Sequence, residues 1–223
     1  MYLEWNKKIL PDFTDASIEK LYDEGYVFTR VGRGMFTQTR SLRIHLKEFE
    51  PSSENKRILR KNESLTLEAH PIPYKDYHWS IHKLAKDFYS DKFGKNIFSA
   101  NKVKELLTNS EKSNFNTVLV YHDANKNNEA SGYCISLLTA KILHYSYPFY
   151  KDGKTNPSRG LGMMVKAIMY AKEKGLQYIY LGSLQRPSDS YKLQFEGMEW
   201  FDGERWRRDM EPLKEILKIA VSY

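Results

Sequence analysis

From residue 131 to residue 182 the chain reads as strand, helix and strand in succession, and that order restricts the fold more than any other feature. SGYCISLLTAKILHYSYPFY is a long apolar and aromatic run of strand type. Pro157 to Lys174 then repeats apolar residues at Leu161, Met164, Val165, Ile168 and Met169, a helical stripe, and Gly175 is placed to stop it. YIYLG returns to strand. Upstream, TVLVYH and the turn DANKNNEAS predict a hairpin with the long strand. Two strands, a helix and a third strand able to lie beside the hairpin predict an α/β (α+β) arrangement, with the last strand leading out of the core at its C-terminal end.

That end is strongly polar. The stretch YLGSLQRPSDSYKLQFEG sets Gln185, Arg186, Asp189, Tyr191 and Lys192 at the exit of an apolar strand. Such crowding has two readings: a binding or catalytic site, or a turn whose side chains satisfy buried backbone. RPSDS on its own is a good turn.

Composition narrows the classes. A chain of 223 residues, 41% hydrophobic and 14% aromatic, can bury a substantial core in one domain or two small ones. It has no run of eighteen apolar residues, and MYLEWNKKILPDF lacks the continuous apolar segment of a signal peptide, so a cytoplasmic protein without membrane contact is expected. Cys134 is the only cysteine, which excludes an intramolecular disulfide and a four-cysteine zinc or iron–sulfur site within one chain. No metal is expected. Lys and Arg number 35 against 28 Asp and Glu, a net +7 that favours a polyanionic partner.

In the first half, Thr14 or Asp15 can cap a helix with Ile18, Leu21 and Tyr22 on one face and Gly25 at its end. From Tyr26 to Phe49 the period falls towards two: YVFT, a turn at Gly32-Arg33-Gly34, then MFTQTRSLRIHL as a strand. In it Leu42, Ile44 and Leu46 alternate with Arg43, His45 and Lys47, which predicts one buried face and one exposed basic face. PSSENKRILRKN predicts a capped helix from Ser52 or Ser53, and YKDYHWSIHKLAKDFY and ANKVKELL predict two more. KRILRK pairs Lys56 with Arg60 and Arg57 with Lys61 at i,i+4, each like-charge pair unfavourable by about 0.2–0.5 kcal/mol in an isolated helix. Together with Arg43 these residues are expected to contact an RNA backbone, a solvated helix face being the alternative. His78 and His82 lie one helical turn apart, but with no third ligand nearby and no glutamate in the H-E-x-x-H position they are expected at the surface or the core edge.

The pieces EFEPSSENKRILRKN, YPFYKDGKTNPSRGLGMMVKAIMYAKEKGLQYIYLGS and YKLQFEGMEWFDGERW, in that order, resemble the arginyl-tRNA protein transferases and their bacterial leucyl-transferring relatives, over roughly residues 20 to 206. The resemblance implies a smaller strand-and-helix region with the basic helix, residues 1–70, followed by a GNAT-like acyltransferase domain, residues 71–223. It implies transfer of arginine or leucine from aminoacyl-tRNA to the N-terminal amine of an acceptor protein or peptide, often one beginning with Asp or Glu. Aminoacyl-tRNA would be the co-substrate and no cofactor is expected. Members usually carry cysteines near the N-terminal strands, whereas RGMFTQTRSLRIHL has none, so no cysteine-bound metal is expected there.

An aminoacyl ester is already activated. Its transfer calls for a neutral attacking amine, correct geometry and donors for the developing oxyanion rather than a Ser-His-Asp nucleophile. Gln185, Asp189, Tyr191 and Lys192 are the expected catalytic set, with Asp189 orienting the amine or moving its proton. Gly182, Ser183, Arg159 and Tyr147 are the expected substrate contacts, Tyr147 being shared between stacking a terminal adenine and packing the core. Gly160 and Gly162 fit the Q/R-x-x-G-x-G/A phosphate turn of acetyltransferases imperfectly: Pro157 stands at the Q/R position, or, if Arg159 leads, Met164 replaces the final small residue. Both a phosphate site and a plain turn remain open at this point. Two other functions fit the same residues: an acyl-CoA-dependent N-acyltransferase, and a non-catalytic RNA-binding protein of the same fold.

Overall fold

The computed structural model describes residues 3–151 and 155–219, so part of the KDGK segment lies outside the described residues. The chain begins with β1 (Asn6–Ile9) and α1 (Asp15–Asp23), the latter capped by Thr14, whose side chain accepts from the Ser17 N–H. Ile18, Leu21 and Tyr22 form its buried face, as their spacing predicts. Gly25 follows with φ +80°, and a Cβ there would lie 2.3 Å from the Phe201 ring, so conformation and space both require glycine. β2 (Tyr26–Phe28) and β3 (Met35–Gln38) then complete a small antiparallel sheet in the order β1-β3-β2.

MFTQTRSLRIHL is two strands rather than one. β3 ends at Gln38 and β4 (Ser41–His45) enters a different, eight-stranded sheet. The capped helix α2 (Ser53–Lys61) follows, with a reciprocal capping box between Ser52 and Asn55. β5 (Leu65–Pro71), α3 (Trp79–Phe93) and α4 (Ala100–Thr108) lead to the hairpin of β6 (Thr117–Asp123) and β7 (Glu129–Leu138). The long run after residue 131 is likewise two strands, because the chain reverses at Thr139–Lys141 before β8 (Ile142–Tyr150). α5 (Arg159–Glu173) crosses over to β9 (Tyr178–Ser183), which lies beside the hairpin, as the strand-helix-strand pattern predicts, and pairs parallel with β8. β10 (Met198–Phe201), β11 (Trp206–Arg207) and α6 (Glu211–Ile219) close the chain.

The large sheet runs β11-β10-β4-β9-β8-β7-β6-β5. β4 and β5 both belong to it, so the division expected after residue 70 falls inside β5 and does not separate two sheets. Both faces of the sheet are covered. Along β6, Leu119 and Tyr121 join one core with α2, α5 and α6, while Val118 and Val120 join the other with α1, α3, α4 and the small sheet. Period two thus places apolar side chains on both sides. No helix among the described residues is long and apolar enough to cross a membrane.

Full coverage of the sheet changes the fate of Arg43. Leu42 and Ile44 point into one core as expected, but the opposite face of β4 is not solvent. Arg43 is 7% exposed, its Nε donates to Glu199 Oε2 at 2.7 Å, and its Nη1 donates to Asp23 Oδ1 at 2.9 Å. The guanidinium lies 3.9 Å from the Tyr178 ring centroid and 4.0 Å from that of Trp206. The expectation that Arg43 contacts RNA is therefore corrected: it is a buried structural cation with its counter-charges supplied by the protein.

Candidate functional site

The parallel pairing of β8 with β9 covers only Ile142–His144 against Tyr178–Tyr180. Beyond it β8 continues along β7 to Tyr150, whereas β9 holds to β4, with Ser183 opposite Ser41. The two strands therefore part, and a cleft of about 570 Å³ opens where their ladder stops. Tyr145 to Pro148 and Tyr150 form one wall, and Leu181 and Ser183 the other. Gly160, Leu161 and Met164 close it from the start of α5, and Phe88, Tyr89, Lys92 and Phe93 from the end of α3. Because α5 and α3 lie on opposite faces of the sheet, the cleft passes between the strands from one face to the other.

A β-bulge shapes the β8 wall. Ile135 pairs with Tyr147 and Ser136 with Tyr145, so Ser146 is an extra residue. The insertion reverses which side each residue faces: Leu143 and Tyr145 belong to the α5 core, whereas Tyr147 and Phe149 pack with the α3 core. Aromatic alternation along this strand is thus divided between two surfaces.

Six of the expected catalytic and substrate residues line the cleft: Tyr147, Ser183, Gln185, Asp189, Tyr191 and Lys192. Their bonding separates them. The Gln185 carboxamide accepts from the Leu3 N–H at 2.8 Å and donates to Thr39 Oγ1 at 2.8 Å, which ties the N-terminal segment to this turn. Asp189 Oδ2 accepts from the backbone N–H groups of Gln185 and Arg186, each at 3.1 Å, and so braces the 3₁₀ segment Pro187–Gln194. Lys192 Nζ donates to the Ser183 carbonyl at 3.1 Å. Burial holds the Lys192 ammonium below the usual lysine range, against the pull of Asp189 and with added repulsion from Lys92. Tyr191 is 41% exposed at the mouth.

Arg159 and Gly182 are not among the lining residues. Arg159 is 6% exposed, and its Nη2 donates to Asp123 Oδ2 at 2.8 Å, joining the first residue of α5 to the end of β6. The residue expected at the substrate thus lies outside the cleft lining, with its Nε and Nη1 buried and making no hydrogen bond. Gly182 has φ +73° with nothing within 4 Å of a built Cβ, so its role is to let β9 turn off into the polar segment.

The start of α5 does face the cleft. Ser158, its N-cap, makes no side-chain capping bond, and the first helical turn leaves backbone N–H groups without intrahelical acceptors. The two glycines answer to close approach: a Cβ on Gly160 would lie 2.5 Å from the Tyr150 hydroxyl, and one on Gly162 would lie 2.4 Å from Cγ of Asn62. Asn62, just after α2, donates to Ser158 Oγ at 3.2 Å. Gly162→Ala is accordingly expected to lower stability by about 1–3 kcal/mol through overpacking at the α2–α5 contact, measured by urea unfolding. An unchanged midpoint would show that Asn62 moves aside freely.

The exposed basic residues of α2 are Lys56, Arg57, Arg60 and Lys61. Arg57 is already engaged by Glu54, with bonds of 2.7 and 2.6 Å, so the like-charge strain there is partly relieved within the helix. The Asn62–Ser158 contact brings the Arg60–Lys61 end of α2 to the start of α5. His78 caps α3, its Nδ1 accepting from the Ser80 N–H at 3.4 Å, and His82 bonds the Tyr77 hydroxyl, in keeping with the surface or core-edge reading.

Arg30 and Lys92 are cleft residues that sequence reasoning missed. Arg30 is anchored to the Ile97 carbonyl at 2.8 Å and stacks over Phe98, and Lys92 leaves the last turn of α3. Both arrive through tertiary packing from distant segments, with no local pattern to mark them. With Arg186 and Lys192 they place four cations around the cleft against one carboxylate, Asp189.

No protein-family model matches the chain. A curated relative from Alkalilimnicola ehrlichii named aspartate/glutamate leucyltransferase is 27% identical over 168 residues, which cover 74% of this chain and 69% of that protein. One of the same name from Cereibacter sphaeroides is 26% identical over 181 residues, covering 77% of this chain and 62% of that protein. The chain therefore spans between 62% and 69% of the length of these two relatives. Among solved structures, FemX matches with a TM-score of 0.51 at 10% sequence identity, over 87% of this chain and 65% of that chain, a likeness of fold. The chain shares a mixed α/β fold with FemX, and at about a quarter identity its sequence is similar to proteins named aspartate/glutamate leucyltransferase.

Proposed function

We propose that this chain transfers an aminoacyl group from aminoacyl-tRNA to the N-terminal amine of a protein or peptide beginning with Asp or Glu, with leucine preferred over arginine as the amino acid moved. The observation that supports this reading best is the make-up of the cleft. Phe88, Leu161, Met164 and Leu181 offer apolar walls of the kind a leucine side chain needs, and Arg30, Lys92, Arg186 and Lys192 offer cations for anionic groups. A guanidinium would need an acid, and Asp189 has one oxygen committed to two backbone N–H groups.

In this reading the donor ester lies between β8 and β9 with its tRNA end towards the start of α5, and the acceptor enters from the α3 face. The neutral amine attacks the ester carbonyl, the carbon–nitrogen bond forms, and the carbon–oxygen bond to the tRNA ribose breaks. The ribose oxygen takes up the proton released by the amine. Lys192 and Tyr191 meet the acceptor, while Gln185 and Asp189 hold the turn that presents them. Arg60 and Lys61, with Lys56, extend the positive surface for the tRNA backbone.

The test is product formation from purified protein with labelled leucyl-tRNA or arginyl-tRNA and peptides beginning with Asp, Glu or Leu. Ribonuclease-sensitive leucylation of the acidic peptides is expected. Product from acetyl-CoA without RNA would replace this reading with an acyl-CoA-dependent N-acyltransferase, and tRNA binding without product would leave an RNA-binding protein. Arg60→Gln with Lys61→Gln should flatten the dependence of log K on log salt for tRNA by roughly 0.7–0.9 per lost phosphate contact. The rate at saturating leucyl-tRNA should hold. An unaltered slope would move the tRNA to another surface.

A further inference from the structure

The four cations around the cleft differ in what already occupies them. Lys192 is spent on the Ser183 carbonyl. Arg186 is exposed over Phe93, 5.6 Å from the ring centroid, where water and salt screen it. Burial holds the Lys92 ammonium below its ordinary range, and the carboxylate it feels is that of Asp189. Arg30 is placed otherwise. Its Nη2 donates to the Ile97 carbonyl at 2.8 Å, and its guanidinium lies over Phe98 and Tyr147, 5.0 and 5.7 Å from their ring centroids. Among the described residues Nε and Nη1 have no acceptor and no carboxylate pairs with the group, yet both nitrogens keep accessible surface. Arg43, Arg159 and Arg207, by contrast, each meet a carboxylate of the fold, on Glu199, Asp123 and Asp202.

Position gives the unspent donors a use. Arg30 follows β2 and lines the cleft, and the rings beneath it pack with the α3 core, so the guanidinium stands on the α3 side. The acceptor enters from that side in the aminoacyl-transfer reading. In a first residue Asp or Glu, the carboxylate lies one or two methylenes beyond the carbon that bears the attacking amine. A cation on the entry wall can therefore hold the carboxylate while the amine reaches the ester. A guanidinium whose plane is set by two rings and a carbonyl is already arranged for a bidentate carboxylate, and apolar surroundings strengthen such a pair.

We infer that Arg30 is a specificity-determining residue, which binds the side-chain carboxylate of the acceptor's first residue and so selects Asp and Glu. This deepens the aminoacyl-transfer reading and rests on it. Arg30 makes no bond to the reacting atoms and moves no proton. The carboxylate it holds bears the same charge before and during attack by the amine, so the contact acts on KM more than on kcat.

Peptides beginning with Glu and with Gln have nearly the same shape and differ in charge, so their relative kcat/KM at saturating leucyl-tRNA reads this contact. Arg30→Gln is expected to lower kcat/KM for the Glu peptide by about 10–150-fold, mostly through KM, and to lower that for the Gln peptide far less, so that the preference collapses. Arg30→Lys keeps the charge without the fork and should recover part of the preference. A wild-type preference for Glu that persists undiminished in Arg30→Gln overturns the role of Arg30 alone. Equal losses for both peptides, with a lowered Tm and no recovery by lysine, also overturn it, since they mark a prop for Ile97 and Phe98. Wild-type product made equally from Glu and Gln peptides overturns the acidic-acceptor part of the reading and this role with it. Absence of product from the wild-type protein with every donor overturns the aminoacyl-transfer reading and this role together.

Discussion

Arg43→Gln should cost about 3–5 kcal/mol of stability, because it removes one partner of a buried ion pair and leaves the other charge uncompensated. Glu199 stands directly across the ladder from Arg43, and Tyr180 stands across it on the other side. The Glu199 side chain is 8% exposed, so its carboxylate has little access to water once the guanidinium is gone. Arg208 also reaches Glu199, at 3.1 Å, but from a side chain that is 62% exposed and screened. The planar guanidinium between Tyr178 and Trp206 would be lost as well. Typical domains have about 5–15 kcal/mol in total, so a large fraction of the folded population is at stake. Adding Glu199→Gln to the same chain removes the stranded charge and should recover part of the loss in urea unfolding. A penalty below about 1 kcal/mol, the range of exposed pairs, would mean that water reaches this network.

The same residue shows what could and could not be read from the sequence. Alternation in SLRIHL placed Leu42 and Ile44 correctly on one face, and alternation carries no information about what covers the other. β10, β11 and their aromatic and acidic side chains arrive more than 150 residues later to bury Arg43, as in its pair with Glu199 (sequence separation 156). The helices were legible because caps and periodicity are local: Thr14, Ser52 and Ser99 each accept from the N–H three residues on.

The reversal at Thr139–Lys141 was not legible. TAK contains no glycine, proline, asparagine or aspartate, and the turn is held instead by α1. Glu19 Oε1 accepts from Thr139 Oγ1 at 2.6 Å and from the Lys141 N–H at 3.1 Å, and Asp15 Oδ2 accepts from the Ala140 N–H at 2.9 Å. At the site, the polar strand exit did mark one wall of the cleft. It did not tell which polar groups face the cavity and which serve the turn, because that depends on partners such as Leu3 and Thr39, far from residue 185 in sequence. Lys92 and Arg30 were invisible for the same reason.

Acidification should destabilise the protein by way of His144, over a window set by its surroundings. His144 is 2% exposed, and burial lowers its imidazole from 6.5 to about 3, with a smaller contribution from the positive charge of Lys192. Its Nδ1 lies 2.8 Å from the Tyr22 hydroxyl. That hydroxyl already accepts from the Phe28 N–H at 3.3 Å, so its own proton is available to the neutral imidazole. Below pH 6.5 the unfolded chain binds a proton at this histidine that the folded chain does not, so stability falls as pH falls. The loss proceeds at about 1.4 kcal/mol per pH unit and levels off near the folded value. Above pH 6.5 both states are neutral and the residue contributes no slope. His144→Asn keeps an acceptor where Nδ1 stands and cannot titrate, so the difference in unfolding free energy between the two proteins should change with this slope between pH 6 and pH 4, the carboxylates common to both cancelling. Parallel stability curves over that range would show that His144 takes up its proton in the folded state, with the Tyr22 pair opening to water.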